Sequence, residues 1–356
     1  MGTDPYDEGD ITAGNVVYGS IYLYAPNKVA PIVFCIIFFL SLVGHLFQCQ
    51  RYHAWGMIGL HTLAATLYVA GYGLRAYGSH HYIYNPAASD SSTVLLTYIM
   101  SQVFIYVCPP LLELSNYHVL SRVFYYVPYH TPIKPGRVFL VFGTLMSIVE
   151  FFNGLGVAFS SNPKGHEQGA GRALVLVSLA IQICVIGTFF ALSAMFFHRC
   201  RRAGVHNKAI PSMIYVLWCS MVFILIRTIF RVVEHSGNTT RDMASLREEM
   251  KITPLDRYEW YFYLFEGATM LANSLWWNLF SPGRFLPRTT NTWIGEDNNE
   301  VSVEPPRFEE RTPLSQAGRT FMQIITLGMW GQMFPKQLKQ TSGSFTELDD
   351  YSGRRL

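Results

Sequence analysis

The sequence predicts an all-α integral membrane protein, built as a bundle of seven transmembrane helices. Half of its 356 residues are hydrophobic and only 14% are charged, whereas roughly 25% are charged in soluble proteins. A helix needs about 20 apolar residues to cross the hydrocarbon core of a bilayer. Apolar stretches of that length lie at 29–49, 55–77, 94–114, 138–159, 173–197, 209–231 and 259–281.

The loops between these stretches differ in basic residues, and this difference predicts the orientation of the chain. Loops one–two, three–four and five–six contain eight Lys and Arg residues, whereas the N-terminal segment 1–28 and loops two–three and four–five contain three. Because basic short loops stay in the cytoplasm, we expect the N-terminus outside and the C-terminus in the cytoplasm. The sequon Asn238-Thr239-Thr240 then lies outside, which makes Asn238 a predicted glycosylation site.

Residues 282–356 form a polar tail whose composition predicts that it is largely disordered. Within this tail, residues 320–334 are apolar but too short to cross a bilayer easily, and Lys336 and Lys339 follow them. This pattern predicts a helix that lies in the membrane interface.

Ionisable residues inside the predicted helices are the candidate functional residues, because a charge in the bilayer core is costly. Arg227, Arg231 and Glu234 are spaced i, i+4, i+7 and share one face of the sixth helix. Glu259 and Glu266 share one face of the seventh. Two interpretations stay open: a polar cluster that binds an amphipathic cation or head group or relays protons, and a structural clamp of Arg–Glu pairs.

Three further charged residues lie in other predicted helices. Glu150 lies in the middle of the fourth helix and needs a partner, a proton or water. Glu113 follows Pro109-Pro110 in the third helix, where the prolines predict a kink that either lines a cavity or is a packing bend. Arg75 ends the second helix, and its simplest interpretation is an anchor at the membrane interface.

Taken in order, these motifs resemble the fungal lipid-translocating exporter family. The family is also called RTA-like, for resistance to aminocholesterol, and includes sphingoid long-chain-base exporters. The resemblance spans roughly residues 20–285. It rests on the segment GYGLR at 71–75, on Pro109-Pro110 before Tyr117, on Gln182, on RTIFRVVE at 227–234, and on Glu259, Tyr263 and Glu266.

The chain also departs from the pattern of that family. The family usually carries Asp where Glu266 stands, Asp in the helix that holds Glu150, and small residues where Glu113 stands. The carboxylate exchanges keep the charge, whereas the altered third and fourth helices indicate a changed ligand. The resemblance implies a fungal multi-pass protein of the plasma membrane or an endomembrane. It also implies outward movement of lipid-like or amphipathic molecules, such as sphingoid bases or sterol-like toxic compounds, or resistance to them.

Several other functional classes lack the residues that their chemistry requires. A retinal protein needs a lysine in the seventh helix, and no Lys occurs between Lys251 and Lys336. No HExxH zinc motif and no GxSxG serine elbow occurs, so we do not expect an enzyme. No GxxxxGKS/T loop for ATP and no long basic run before the tail occurs. We therefore expect no cofactor and no nucleic-acid partner; the expected partners are membrane lipids and an amphipathic small molecule.

Two alternatives to lipid export stay open. The first is a seven-helix lipid sensor or receptor that signals through the tail without net lipid movement. The second, within the transporter class, is an exporter of a fungal secondary metabolite. If transport occurs, it is facilitated, ion-coupled or dependent on a partner, and in the ion-coupled case Glu150 and Glu266 would carry protons.

Overall fold

Long apolar helices dominate the part of the chain that the computed structural model describes. That part comprises residues 20–22, 24–83, 91–133, 135–160, 168–205, 207–237, 255, 258–287, 292–295 and 300–302. Six helices within it are long and apolar enough to cross a membrane. They are α1 (Ala30–Tyr52), α2 (Trp55–Gly78), α3 (Ser91–Tyr126), α4 (Pro135–Ser160), α5 (Gln168–Arg202) and α6 (Ala209–Ser236).

A further helical segment, α7, follows and is not regular. It begins as the α-helix Glu259–Phe262, continues as the π-helix Tyr263–Ala268, and ends as the α-helix Thr269–Leu279. The π-helical turn interrupts the regular hydrogen bonding in the middle of an apolar stretch. The described residues are thus those of an all-α membrane protein with one interrupted helix.

Consecutive helices pack side by side, and α3 lies at the centre of the bundle. α3 contacts α2, α4 and α6, while α1 contacts both α2 and α7. α3 continues through Pro109 and Pro110 as far as Tyr126, well past the apolar stretch at 94–114. This central helix therefore brings the charged residues of α3, α4 and α6 within reach of one another.

The outer faces of the helices are apolar, as a lipid environment requires. In α1 the most exposed side chains include Ile36, Leu40 and Phe47. Its buried positions instead include the polar residues Ser41 and His45. This pattern is the reverse of that in a soluble protein, and it turns the polar side chains of the helix towards its neighbours.

Small residues let α4 and α5 approach closely. A Cβ atom on Gly156 would lie 2.8 Å from the Gly171 carbonyl oxygen, and one on Gly171 would lie 2.6 Å from the Ser160 backbone nitrogen. Neither position could hold a larger residue without moving the backbone. Such contacts between small residues are the usual way in which membrane helices pack.

The first part of the tail contains structure that the sequence analysis did not place. A 3-10 turn forms at Pro282–Arg284, and strand β1 (Thr292–Ile294) pairs antiparallel with β2 (Glu300–Ser302). This hairpin packs on the C-terminal end of α3, where the Tyr126 hydroxyl donates a hydrogen bond to the Glu300 carboxylate. The predicted interfacial helix at 320–334 and the sequon at Asn238 lie outside the described residues.

Candidate functional site

A buried arginine near the end of α2 holds three segments of the chain together. Arg75 is 1% exposed, and its Nη2 atom lies 3.0 Å from Glu259 Oε1 in α7. The guanidinium also donates hydrogen bonds to the phenol oxygens of Tyr263 and Tyr24, both at 3.2 Å. Its central carbon lies 4.1 Å from the centroid of the Phe262 ring. This Arg75 cluster ties α2 and α7 to the segment before α1.

The interpretation of Arg75 as an interface anchor was wrong. The segment that carries Tyr22 and Tyr24 covers the end of α2 and removes the guanidinium from solvent. Burial raises the pKa of Tyr22 to about 12, although the nearby Arg75 lowers it. Burial raises the pKa of Tyr24 as well. Both phenols therefore stay neutral at physiological pH, and they surround the Arg75 charge without adding one of their own.

A second ion-paired group, the Glu266 cluster, joins α6 to α7. Arg227 Nε lies 2.6 Å from Glu266 Oε2, and Arg231 Nε lies 3.6 Å from Glu266 Oε1. Arg231 also donates a hydrogen bond of 2.7 Å to Glu234 Oε2. Its guanidinium carbon lies 4.4 Å from the centroid of the Tyr106 ring in α3. The residues that share one face of α6 thus meet a carboxylate of α7.

The Glu266 carboxylate is not fully satisfied by these arginines. The residue is 1% exposed, and its Oε1 atom has no hydrogen-bond partner among the described residues. The 3.6 Å that separates this atom from Arg231 Nε is too long for a hydrogen bond. A carboxylate can accept about four hydrogen bonds. Glu266 therefore keeps buried acceptor capacity that other side chains do not use.

The backbone that carries Glu266 is the π-helical turn of α7. Thr269, the residue after this turn, donates both its backbone N–H and its hydroxyl, the latter at 3.0 Å, to the Leu264 carbonyl oxygen. π-Helical turns are rare and occur frequently at functional sites. Nothing in the amino-acid pattern predicted this one.

A third polar contact links α3 to α5 around Glu113. The Tyr117 hydroxyl donates to Glu113 Oε1, and Gln182 Nε2 donates to Glu113 Oε2 at 2.7 Å. Glu113 itself is fully buried, and its carboxylate is within electrostatic range of Glu150 and Arg227. Glu150 is half-buried and lies close enough to Arg227 and Arg231 of α6 for an electrostatic interaction. It forms no ion pair with any described residue. The candidates of α3, α4, α5 and α6 thus border one interior region.

A further polar group, on the C-terminal side of Glu266 in α7, was missing from the sequence-based candidates. We call it the inner polar cluster; its members are His45, His61, Asn273, Ser274 and Asn278. His45 Nε2 lies 3.2 Å from Ser274 Oγ, and Asn278 Nδ2 lies 3.4 Å from His45 Nε2. The His45 and His61 rings stack with their centroids 5.8 Å apart. The signal that could have found this cluster was Asn273, a polar side chain within an apolar stretch.

Comparison with known proteins gives one family and several fungal relatives. The family model for RTA1 like protein matches residues 61–289. The chain is 45% identical over 311 residues to a lipid-translocating exporter-like protein RTA1 of Leptosphaeria maculans, a match that covers 86% of this chain and 59% of that relative. The chain therefore spans less than two thirds of the length of this relative.

Two more distant relatives carry related names. A lipid-translocating exporter-like protein RTA1 of Ajellomyces capsulatus is 25% identical over 243 residues, which are 64% of this chain and 72% of the relative. A probable lipid transporter of Emericella nidulans is 20% identical over 307 residues, which are 79% of this chain and 72% of the relative. No solved structure matches the chain.

Proposed function

Because the chain belongs to the RTA1-like family, we propose that it moves lipid-like or amphipathic molecules outward across a membrane. Candidate cargoes are sphingoid bases and sterol-like toxic compounds, whose removal would confer resistance. The several apolar helices make it a multi-pass membrane protein. In the proposed topology α1–α7 all cross the bilayer, with the N-terminus outside, the C-terminus in the cytoplasm, and the plasma membrane or an endomembrane as the location.

The observation that carries this proposal is the buried Glu266 carboxylate with an unused oxygen. Two arginines face Glu266 from α6, so the head group of an amphipathic molecule could take the place of one member of these ion pairs. A cationic head group would bind Glu266 Oε1, and an anionic one would bind Arg227 or Arg231. The relatives named as a lipid-translocating exporter-like protein and a probable lipid transporter support a lipid-like cargo.

The ion-coupled form of this proposal assigns proton transfer to Glu266 and Glu150. Both carboxylates are at least half-buried, and Glu113 lies within electrostatic range of Glu150. No enzymatic step and no cofactor is part of the proposal. In the described part of the chain, His, Cys, Asp and Glu form no group of three or more that could hold a metal ion.

The test is release of labelled sphingoid base or fluorescent lipid from cells with and without the protein. We expect faster release with the wild-type chain and loss of that gain in Glu266→Gln and Arg231→Ala, compared at equal surface expression. Glu266→Gln keeps the shape of the side chain but removes its charge. Arg51→Ala is the matched control, because Arg51 is exposed at the end of α1. Equal release from all strains would overturn export of these lipids.

A lipid sensor is the second candidate function, and the hairpin of the tail favours it. Tyr126 at the end of α3 bonds to Glu300 of β2, and Arg122 Nη2 donates to the Pro287 carbonyl oxygen at 3.1 Å. These contacts connect the tail directly to the central helix. Ligand-dependent signalling without lipid release, lost in Tyr126→Phe, would support the sensor over the exporter.

A further inference from the structure

The inner polar cluster contains buried polar atoms without partners. Asn273 is fully buried, and neither Nδ2 nor Oδ1 of its amide has a hydrogen-bond partner among the residues that the structure describes. Within the same residues, the Nδ1 atoms of His45 and His61 and the Oδ1 atom of Asn278 have no partner either. Buried polar atoms are nearly always paired, because leaving them unpaired in an apolar interior is unfavourable. These five buried atoms therefore keep hydrogen-bonding capacity that the described residues do not use.

The unpaired atoms belong to one region between α1, α2 and α7. Asn273 lies four residues before Trp277 on the same face of α7, and the Trp277 ring is 4.6 Å from the His61 ring. His61 in turn stacks with His45 of α1. The other imidazole nitrogens are already used, since His61 Nε2 lies 2.9 Å from Ser115 Oγ and His45 Nε2 lies 3.2 Å from Ser274 Oγ. The free atoms are thus left for a bound group.

The chemistry of the free atoms selects a neutral group that both donates and accepts hydrogen bonds. Asn273 offers one of each, a donating Nδ2 and an accepting Oδ1. Among the described residues, no carboxylate or guanidinium forms an ion pair or hydrogen bond with His45 or His61. The two rings contact each other and the side chains of Ser115, Ser274, Trp277 and Asn278. A charged head group would find no counter-charge here, in contrast to the Glu266 cluster. A hydroxyl group meets every requirement.

We propose that the inner polar cluster is a second binding site, which takes the uncharged hydroxyl group of an amphipathic lipid. The inference rests on the proposed function and deepens it, because it assigns the uncharged hydroxyl group of the cargo to residues outside the Glu266 cluster. Asn273 lies seven residues beyond Glu266, a rise of about 10 Å along a helix. A lipid can therefore bind the two sites in succession as its polar end moves along α7.

The test measures equilibrium binding of tritiated 1-hexadecanol to the purified full chain in detergent. Its methyl ether, which accepts but does not donate a hydrogen bond, and hexadecyl phosphate, which is anionic, are the matched probes. We expect the alcohol to bind about tenfold more tightly than either probe, the ratio that one good hydrogen bond gives. This comparison uses only the wild-type chain, so it does not depend on the folding of a variant.

The Asn273→Leu variant separates a binding role from a structural one. It replaces the amide, and with it both unpaired polar atoms, by an apolar side chain of similar size. We expect the preference for the alcohol to disappear while the apparent melting temperature stays unchanged or rises, because an unpaired buried amide is lost. If the variant had a lower melting temperature and kept its preference for the alcohol, Asn273 would have only a structural role. If the wild-type chain bound the alcohol and the ether equally, the site would hold internal water only. Either result overturns the inference.

The Glu266→Gln variant distinguishes this inference from the proposed function. We expect it to keep the preference for the alcohol, because Glu266 is not part of the inner polar cluster, although cells that carry it lose lipid release. Release without any preference for the alcohol would refute the hydroxyl site alone. A preference for the alcohol without release from wild-type cells would refute export and leave the site standing.

Discussion

The Arg75 cluster and the Glu266 cluster are both buried arginine–glutamate groups, but they are completed differently. Arg75 is surrounded by one carboxylate, two phenols and an aromatic ring from two other segments of the chain. Glu266 is approached by two arginines and still has an oxygen without a hydrogen bond. Burial and ion pairing are thus common to both clusters, and the unused carboxylate oxygen distinguishes the Glu266 cluster. On that difference rests our proposal that Glu266, and not Arg75, exchanges partners with a ligand.

The largest expected effect is that of Arg75→Ala on stability. The substitution leaves Glu259 without its cation and two phenols without a donor, and breaking a buried pair in this way costs about 3–5 kcal/mol. We expect a large fall in the apparent melting temperature of the purified protein and little folded protein in cells. Arg51→Ala, an exposed arginine at the end of α1, is the control. If both variants were equally stable, Arg75 would not hold the three segments together.

An intermediate effect is expected for Tyr106→Leu in the Glu266 cluster. The Arg231 guanidinium carbon lies 4.4 Å from the Tyr106 ring centroid, and a desolvated cation–π contact contributes about 2 kcal/mol. Denaturant unfolding in detergent should show a loss of that size. Tyr106→Phe keeps an aromatic face beneath the cation and should lose much less. Equal losses in the two variants would show that the ring face does not stabilise Arg231.

The smallest expected effect is that of Glu234→Ala. The Glu234 side chain is 21% exposed, and its pair with Arg231 is partly solvated, so its loss should cost only about 0.2–1 kcal/mol. Arg231 keeps its position near Glu266, and we therefore expect lipid release close to that of the wild type in the same assay. A loss of release as complete as that of Glu266→Gln would place Glu234 within the functional group and not at its edge.

Residue spacing predicted much of what lies on a single helix. The i, i+4, i+7 pattern placed Arg227, Arg231 and Glu234 on one face of α6. The pairing of both arginines with Glu266, and of Arg231 with Glu234, agrees with that pattern. The spacing also left open whether the pairs clamp the helices or bind a ligand. The structure contains the pairs, and the unused oxygen of Glu266 supports a binding role beside the structural one.

Contacts between distant parts of the chain could not be predicted from spacing. Arg75 looked like an interface anchor because nothing in α2 indicates that Tyr22 and Tyr24 cover its end. Asn273 was passed over because a lone amide in an apolar stretch carries no charge to draw attention. Its significance depends on which groups of α1 and α2 lie opposite, and periodicity within α7 does not contain that information.

The π-helical turn of α7 has a consequence for comparing this chain with its relatives. Such a turn holds one residue more than the α-helix that it replaces. Deleting one residue from Tyr263–Ala268 would rotate the preceding part of the helix by about 100° and shift it by about 1.5 Å relative to the rest. Glu259 would then turn away from Arg75, while Asn273 and Trp277 kept their neighbours. A one-residue gap at this point of a sequence alignment would therefore mark a relative in which another side chain takes the place of Glu259 beside the arginine of α2.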